Sequence, residues 1–591
     1  MKNLNKLTLF LFITSILFVA CKKDDLDFNP DNNATLVNGS ISGLVTNQNG
    51  QALADVLITV GTAQKLTDIN GYFSFKNIEI STRGSLVTSE REGYFYNAKF
   101  VSSRANKRNF TKIRMIEKVL SGTISSTSGG SVSTNGGATI DLPANGIEEP
   151  GGAAYTGTVN VYATWLDPTA VDLYQRMPGD LRATNASEEQ VQLTTYGMIG
   201  VELEGTAGEA LNLAEGHSAT INLPVPQALL SNAPATIPLW HFDEASGYWI
   251  EDGEATLQGD KYVGQVSHFS FWNCDEPNSF IWLDGSIIDQ SGAGVEGLVV
   301  TLTETSSGAV RYGVTDEDGV FEGYVPNNQE LTLISHDDCS VEIVTDQIGP
   351  FTNDSSLPPY QQNGTITNFV TISGKLVDCD NNPVANGYFK VSYGVFHILE
   401  TDANGNFSGT INTCNFGTVE GTGYDLGDYI KSSTETYNVN GVGQIELGEI
   451  IACNELIEYV KYSIDDDDFT IARPYTEFVN PSSGEFRINA LRNNNSAGEI
   501  VFTIGFNATT VGTYTPFHTV ITGLTQDLNY SLICDQSNLN GAPDCSSIDI
   551  NITTFEDVGG YIIGTLNGTL SDSETGISYP VSVEFRLIID L

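Results

Sequence analysis

"SGLVTNQNGQALADVLITV", residues 42–60, and "TDINGYFSF", residues 67–75, are the stretch that decides the fold. Gly43 opens a strand, and Gly50, seven residues on, supplies the positive φ that a tight hairpin turn needs. Val56, Ile58 and Val60 then share one face of a second strand. In Thr67-Asp68-Ile69-Asn70-Gly71-Tyr72-Phe73 the Asp can bond its own turn backbone, the Gly takes the left-handed position, and the Phe returns to a core. The same grammar recurs twice. "DGSIIDQSGAGVEGLVVTL" (284–302) precedes "TDEDGVFEG" (315–323), and "SGKLVDCDNNPVANGYFKV" (373–391) precedes "TDANGNFSG" (401–409). Gly285 and Gly374 stand for Gly43, Gly292 and Asn381 for Gly50, and Leu298, Val300 and Leu302 alternate as Val56, Ile58 and Val60 do.

These repeated residues resemble the carboxypeptidase regulatory-like domain. The resemblance covers roughly 240 residues in three modules of about 80, an ordinary sandwich-domain size. We place the modules at 39–116, 279–365 and 368–452. The resemblance implies seven-stranded β-sandwiches of the transthyretin-like and carbohydrate-binding-like type, which position or display something else; the fold does not fix a function. It does not imply a peptidase. His397-Ile398-Leu399-Glu400 has an H-x-x-E spacing, but in a strand positions i and i+3 point to opposite faces. Nor does any stretch alternate strand with helix, as the α/β catalytic domain of that enzyme family requires.

Between the first two modules, residues 117–277 carry "SGGSVSTNGGATIDLPANGI" and "YTGTVNVYATWLDP", which resemble a ZU5-type β-sandwich through Gly129-Gly130, Leu142-Pro143 and Ile147. The Trp240 and Trp249 segments read as a hairpin turned at Glu244–Gly247. His268-Phe269-Ser270 matches the sequence at which some ZU5-linked domains cut themselves. There the Ser270 hydroxyl would attack the Phe269 carbonyl with His268 as base. The competing expectation is a strand whose Phe269, Phe271 and Trp272 fill a core and an interface.

The amino terminus suggests an address. Lys2 and Lys6 precede an apolar run, Leu7–Ala20, too short to span a bilayer. Phe18-Val19-Ala20-Cys21 resembles the lipobox of bacterial lipoproteins, with Phe18 where that box usually has Leu. The resemblance implies cleavage after residue 20 and a diacylglycerol thioether on Cys21, with further acylation making a stable anchor. Lys22-Lys23-Asp24-Asp25 resembles the signal that sends some lipoproteins to the outer face of a Gram-negative outer membrane. Residues 21–38 then read as a flexible acidic tether. The fold class expected is all-β, tandem β-sandwich domains after a lipoprotein signal peptide.

Composition bounds the partners. The 591 residues carry a net charge of −46. Loss of residues 1–20 removes two lysines, leaving 25 bases against 73 acids, or −48. A nucleic-acid partner is excluded, because phosphate binding needs clustered Lys and Arg. We expect the charge to be spread over a soluble, self-repelling surface.

Residues 453–591 form a C-terminal β-domain whose last strand alternates Val581, Val583, Phe585 and Leu587. Asp465–Asp468 lacks the spacing of a calcium loop and reads as solvated. After Cys21 seven cysteines remain, with no C-x-x-C. Export permits disulfides; Cys534–Cys545 is the first pairing expected and Cys379–Cys414 the second. No metal or cofactor is expected. H-E-x-x-H, P-loop and Rossmann patterns are missing, and Gly216-His217-Ser218 begins a G-x-S-x-G that Thr220 breaks. The expected function is non-enzymatic: an adhesion or display scaffold with an unknown protein or glycan ligand. The first alternative is a carbohydrate-binding protein of a glycan-uptake system, which requires an exposed aromatic platform among Trp165, Trp240, Trp249, Trp272 and Trp282. The second is self-cleavage at Phe269–Ser270.

Overall fold

The computed structural model describes residues 34–289, 292–336, 341–362, 369–393, 396–412, 417–439, 443–457, 459–464, 467–472, 475–480, 485–492, 499–507, 510–516, 518–524, 529–535, 545, 548–555, 561–572 and 577–588. Among them the regular secondary structure is almost wholly strand, with two one-turn helices, Leu173–Arg176 and Gln227–Leu230. The fold is a set of tandem β-sandwiches.

In the first module Leu36–Thr46 pairs antiparallel with Tyr72–Ser81 and parallel with Arg108–Arg114. The facing sheet runs Ala63–Leu66, Leu57–Val60, Ser85–Glu90, Asn97–Val101. Ile41, Val45, Val56, Ile58, Phe73, Phe75 and Val87 fill the space between, as inward positions of two packed sheets do. The second and third modules repeat this plan around Phe321 and Phe407.

The repeated residues have unequal jobs. Gly43, Gly285 and Gly374 sit directly across the ladder from Phe73, Phe321 and Phe407. A Cβ on any of them would come within 2.7 Å of the ring. These glycines are therefore the seats on which the three rings lie. At the turn, Gly71, Gly319 and Gly405 have φ of 69°, 74° and 78°. The Oδ1 of Asp68 accepts from the Asn70 and Tyr72 amides at 2.9 and 3.0 Å, and Asp316 and Asp402 repeat the pattern. The Thr before each Asp is buried. Thr67 donates to Leu53 O at 2.8 Å and accepts from the Val56 amide at 3.0 Å, pinning the turn to the opposite sheet.

The middle region forms one thirteen-stranded sheet. Its spine, Gln190–Glu204, pairs with Thr158–Leu166 and Phe271–Asn278. Thr236–Asp243 and Tyr248–Gln258 make the expected tryptophan hairpin, and Gly130 pairs with Leu142. The C-terminal strands form an eleven-stranded sheet. Ser578–Ile588 pairs along its length with Tyr561–Asp572 and buries Val581, Val583, Phe585 and Leu587.

Two expectations are corrected. Cys379 is bonded to Cys453, not to Cys414. The parallel ladder of Phe369–Val377 with Gly443–Ile451 sets Val377 opposite Ile451, so residues 379 and 453 continue side by side. Asn412 pairs instead with Phe369, at the other end of the same strand. Cys414 itself lies outside the described residues. Second, the charge is not evenly spread. Residues 39–116 hold ten Lys/Arg and five Asp/Glu, whereas residues 279–365 hold one base and fourteen acids. The tandem modules also meet out of sequence order: the basic first module touches the middle region, the second module and the third.

Candidate functional site

The junctions around the first module are where the structure concentrates its unusual chemistry. Three surfaces meet there.

Against the third module, Tyr72 stands edge-on to Tyr388 with ring centroids 5.0 Å apart, and Tyr388 stacks on Tyr424. Leu44, Tyr429 and Ile457 complete this small apolar cluster. Two residues of the first module's turn reach into it. The Tyr388 hydroxyl donates to Asp68 Oδ2 at 2.6 Å and accepts from Asn70 Nδ2 at 2.7 Å, while Lys390 Nζ donates to Asn70 Oδ1 at 2.6 Å. Burial pushes the Asp68 carboxyl up to about 6, although the Tyr388 hydroxyl pulls the other way. Burial likewise lowers the Lys390 amine, against the nearby Asp68 charge.

Against the second module the contact is ionic. Arg104 reaches Asp316 and Asp318, Lys107 Nζ lies 2.8 Å from Asp318, and Arg108 lies between Glu296, at 2.5 Å, and Glu400 of the third module, at 3.4 Å. Burial raises Glu400, but Arg108, the Tyr72 hydroxyl, Lys76 and the Ser42 hydroxyl together outweigh it and hold the carboxyl below its ordinary range. Glu296 ends above its ordinary range because burial outweighs Arg108. A cleft of about 990 Å³ opens at this three-module meeting, lined by Lys76, Arg108, Glu296, Glu317, Glu400 and Asp402.

Against the middle region the contact is aromatic. Phe95 packs on Phe271 at 5.9 Å and Phe100 on Tyr248 at 5.3 Å. Arg182, 4% exposed and paired with Asp180, lays its guanidinium on Phe100, Tyr248 and Tyr324, one ring from each of three modules. Lys99 is also buried here. Its amine donates to Met177 O, and burial holds it down to about 7.

The residues singled out in the sequence fall elsewhere. Cys21, Lys22, Lys23, Asp24 and Asp25 lie outside the described residues. His268 and Ser270 are not brought together as base and nucleophile. His268 Nδ1 lies 3.4 Å from Ser267 Oγ, its ring packs against His241 and Trp272, and the Ser270 hydroxyl donates to Phe271 O at 3.1 Å. Phe269 packs on the middle core and Phe271 on the first module. Cys545 is buried and disulfide-bonded; Cys534 pairs across the ladder with Thr519, and its side chain lies outside the description. Asp467 and Asp468 begin a strand, and 465–466 are undescribed. Among the described residues no group of three His, Cys, Asp or Glu is arranged to hold a metal. His397 bonds the Tyr393 hydroxyl at 2.5 Å while Glu400 faces Arg108, so the H-x-x-E pair does diverge.

The tryptophans give no platform. Trp240, Trp249 and Trp272 are fully buried, Trp282 lies 4.1 Å beneath the Arg83 guanidinium, and Trp165 is half-buried against the middle core. Among the described residues the large apolar side chains that reach solvent are aliphatic, such as Leu36, Val171 and Val341. Sequence reasoning missed Arg182, Lys99 and the outer oxygen of Asp68. Only the clustering of bases in residues 39–116 pointed toward them.

No protein-family model matches the chain. A 119-residue segment is 29% identical to cartilage intermediate layer protein 2 of Mus musculus, covering 20% of this chain and 10% of that protein. A 123-residue segment is 25% identical to cartilage intermediate layer protein 1 of Sus scrofa, covering 21% of this chain and 20% of the other. The chain thus spans a fifth or less of the length of these curated relatives. Among solved structures, the shaft pilin spaA from Lactobacillus rhamnosus GG aligns over 30% of this chain and 98% of its own, at 10% identity and a TM-score of 0.18. BcpA, the major pilin subunit of Bacillus cereus, aligns over 56% and 100%, at 9% identity and a TM-score of 0.12. Scores this low carry no conclusion about fold or function.

Proposed function

We propose that this chain is a non-enzymatic display scaffold, lipid-anchored through Cys21 to the outer face of a Gram-negative outer membrane. Its first module would clamp the others into one rigid holder for a protein-binding or adhesive surface. The observation that carries the reading is the clamp itself. One module uses buried aromatic and hydrogen-bonded contacts and partly exposed ion pairs on three neighbours at once. Such ordering is costly in side-chain entropy and suits a part that must hold a shape under load. The buried tryptophans weigh against the glycan-binding alternative, and the separation of His268 from Ser270 weighs against self-cleavage.

Three measurements test it. Mass spectrometry of the mature amino terminus should find an acylated Cys21. Protease shaving of intact cells should remove the protein together with outer-face controls. The mature ectodomain should retain a cell-surface or matrix protein on a binding array while glycan spots stay blank. An unmodified thiol on protein free in the medium would sink the anchor, and strong glycan retention would replace the protein-binding reading.

A further inference from the structure

Lys390, Asn70, Tyr388 and Asp68 form a cluster that hydrogen bonding alone does not exhaust. We propose that Lys390 Nζ attacks the Asn70 side-chain carbonyl, joining the first and third modules by an intramolecular amide bond and releasing ammonia.

The parts are in place. The nucleophile is a primary amine 2.6 Å from Asn70 Oδ1, hence about one bond length further from the carbon it must reach. Two ordered chain segments hold the pair, so the attack gains the effective concentration of a positioned intramolecular reaction. The surroundings are dry. Asn70 is 4% exposed, Tyr388 is fully buried, and the Lys390 ammonium lies over the Phe396 ring at 4.8 Å. Desolvation favours the neutral, nucleophilic amine, as the downward shift at Lys390 shows.

The step balances. The Nζ–Cγ bond forms as the carbonyl electrons move to Oδ1, giving a tetrahedral carbon. Collapse breaks the Cγ–Nδ2 bond. The departing nitrogen needs a proton, and the Tyr388 hydroxyl touches Nδ2 at 2.7 Å. Tyr388 is resupplied by Asp68, 2.6 Å away; the proton that Lys390 gives up passes to Oδ1 along their hydrogen bond and leaves to water as the carbonyl re-forms, and water returns one to Asp68. One amine and one carboxamide become one secondary amide and ammonia, with no oxidant and no other reactant. Tyr388 touches the reacting group. Asp68 acts through it as a positioning residue that holds protons, a task suited to a carboxyl raised by burial to about 6.

The second module supplies an internal contrast. Its turn residue equivalent to Asn70 is Asp318, and it too meets a lysine, Lys107 at 2.8 Å. Lys107 is 36% exposed and Asp318 40%. There the ammonium keeps its charge, because the Asp318 hydrogen bond raises its pKa, and the pair remains an ion pair in water. In the third module the equivalent Asn404 is exposed. Only the first module's turn combines a buried carboxamide, a half-buried amine and a buried acid.

The full mature chain, purified from its native host and from a heterologous one, is measured intact and after reduction and tryptic digestion. The expected mass is one ammonia below that of the sequence. Trypsin cannot cut after an acylated lysine, so the expected product is a branched species joining residues 66–76 to residues 376–431. Lys390→Arg keeps a hydrogen-bonding cation but no nucleophilic amine, and it should restore the full mass. Asp68→Asn keeps the Oδ1 cap of the turn; it should dock normally by near-ultraviolet circular dichroism yet form the branch slowly, with the pH dependence of branching lost. A full wild-type mass with separate peptides overturns the proposal without any variant. So does an ammonia deficit on a linear peptide 66–76, which would place a succinimide at Asn70-Gly71. Complete, pH-dependent branching in Asp68→Asn would overturn the role given to Asp68.

Discussion

At the residue scale, a missing methyl group decides as much as any functional group. Gly43 and Gly323 are both strand glycines with ordinary backbone angles. A Cβ at Gly43 would lie 2.6 Å from Thr111 O and 2.7 Å from the Phe73 ring, whereas one at Gly323 meets nothing within 4 Å. Gly43→Ala is therefore expected to destabilise the first module by roughly 1–3 kcal/mol, the usual cost of overpacking. Gly323→Ala should be neutral or slightly stabilising. Urea melts of the two variants check the contrast; equal melts would mean that the ring seat yields freely. Lys99 offers a second test. Its folded pKa of about 7 lies below the unfolded value, so between them the unfolded chain holds a proton that the native chain lacks. Native stability should therefore rise with pH across that window. Lys99→Met should flatten the rise, seen by comparing thermal melts of wild type and variant at about pH 7 and about pH 10. The sequence announced the turn Asp, Gly and Phe because their roles are local. It was silent on Lys99 and on the outer oxygen of Asp68, because those roles are set by residues far along the chain.

At the scale of elements, hairpins were legible and parallel pairings were not. Antiparallel neighbours are joined by turns with their own chemistry, as at Glu244–Gly247. The parallel ladder of Phe369–Val377 with Gly443–Ile451 joins strands more than sixty residues apart with no local signal. That ladder decides the disulfide. Cys379 and Cys453 have Cα atoms 5.0 Å apart and close a loop of sequence separation 74. By the loop-entropy account such a bridge contributes about 4 kcal/mol. Replacing both cysteines with serine should lower the third module's unfolding midpoint accordingly. Glu455–Leu456, which pairs with Ile430–Lys431, should then become the first amides of that sheet to exchange. Early exchange at Tyr388–Val391 instead would mean that the bridge supports the junction rather than the strand end.

At the scale of the whole molecule, opposite charges are sorted into different modules and then paired across their junctions. The all-β class and the three repeats could be read from residue order alone; their assembly could not, because a repeat describes each module's inside and the junctions use its outside. Arg108 shows what the sorting accomplishes. It stands between Glu296 and Glu400, which belong to the second and third modules. Removing it by Arg108→Met leaves two acids, one half-buried and one exposed, facing an uncharged thioether. Losing one partner of a fully buried pair costs about 3–5 kcal/mol and an exposed bridge contributes under about 1; with Arg108 23% and Glu400 12% exposed, the loss should fall between, at about 1–3 kcal/mol. The pH dependence fixes the cause. In the wild type Glu400 titrates below its unfolded value, so its contribution is present above the unfolded pKa and fades as pH falls through the folded one. Without Arg108 the upward pull of burial is unopposed at Glu296 and meets only Tyr72, Lys76 and Ser42 at Glu400, so both carboxyls titrate higher than in the wild type, Glu296 furthest above its unfolded value. The variant's deficit should then be full at neutral pH and shrink as pH falls toward about 4.3, where the unfolded carboxyl also binds its proton. Urea melts across that range, with limited proteolysis between the modules, read both stability and docking. A deficit unchanged by pH would mean that the guanidinium fills space there and neutralises nothing.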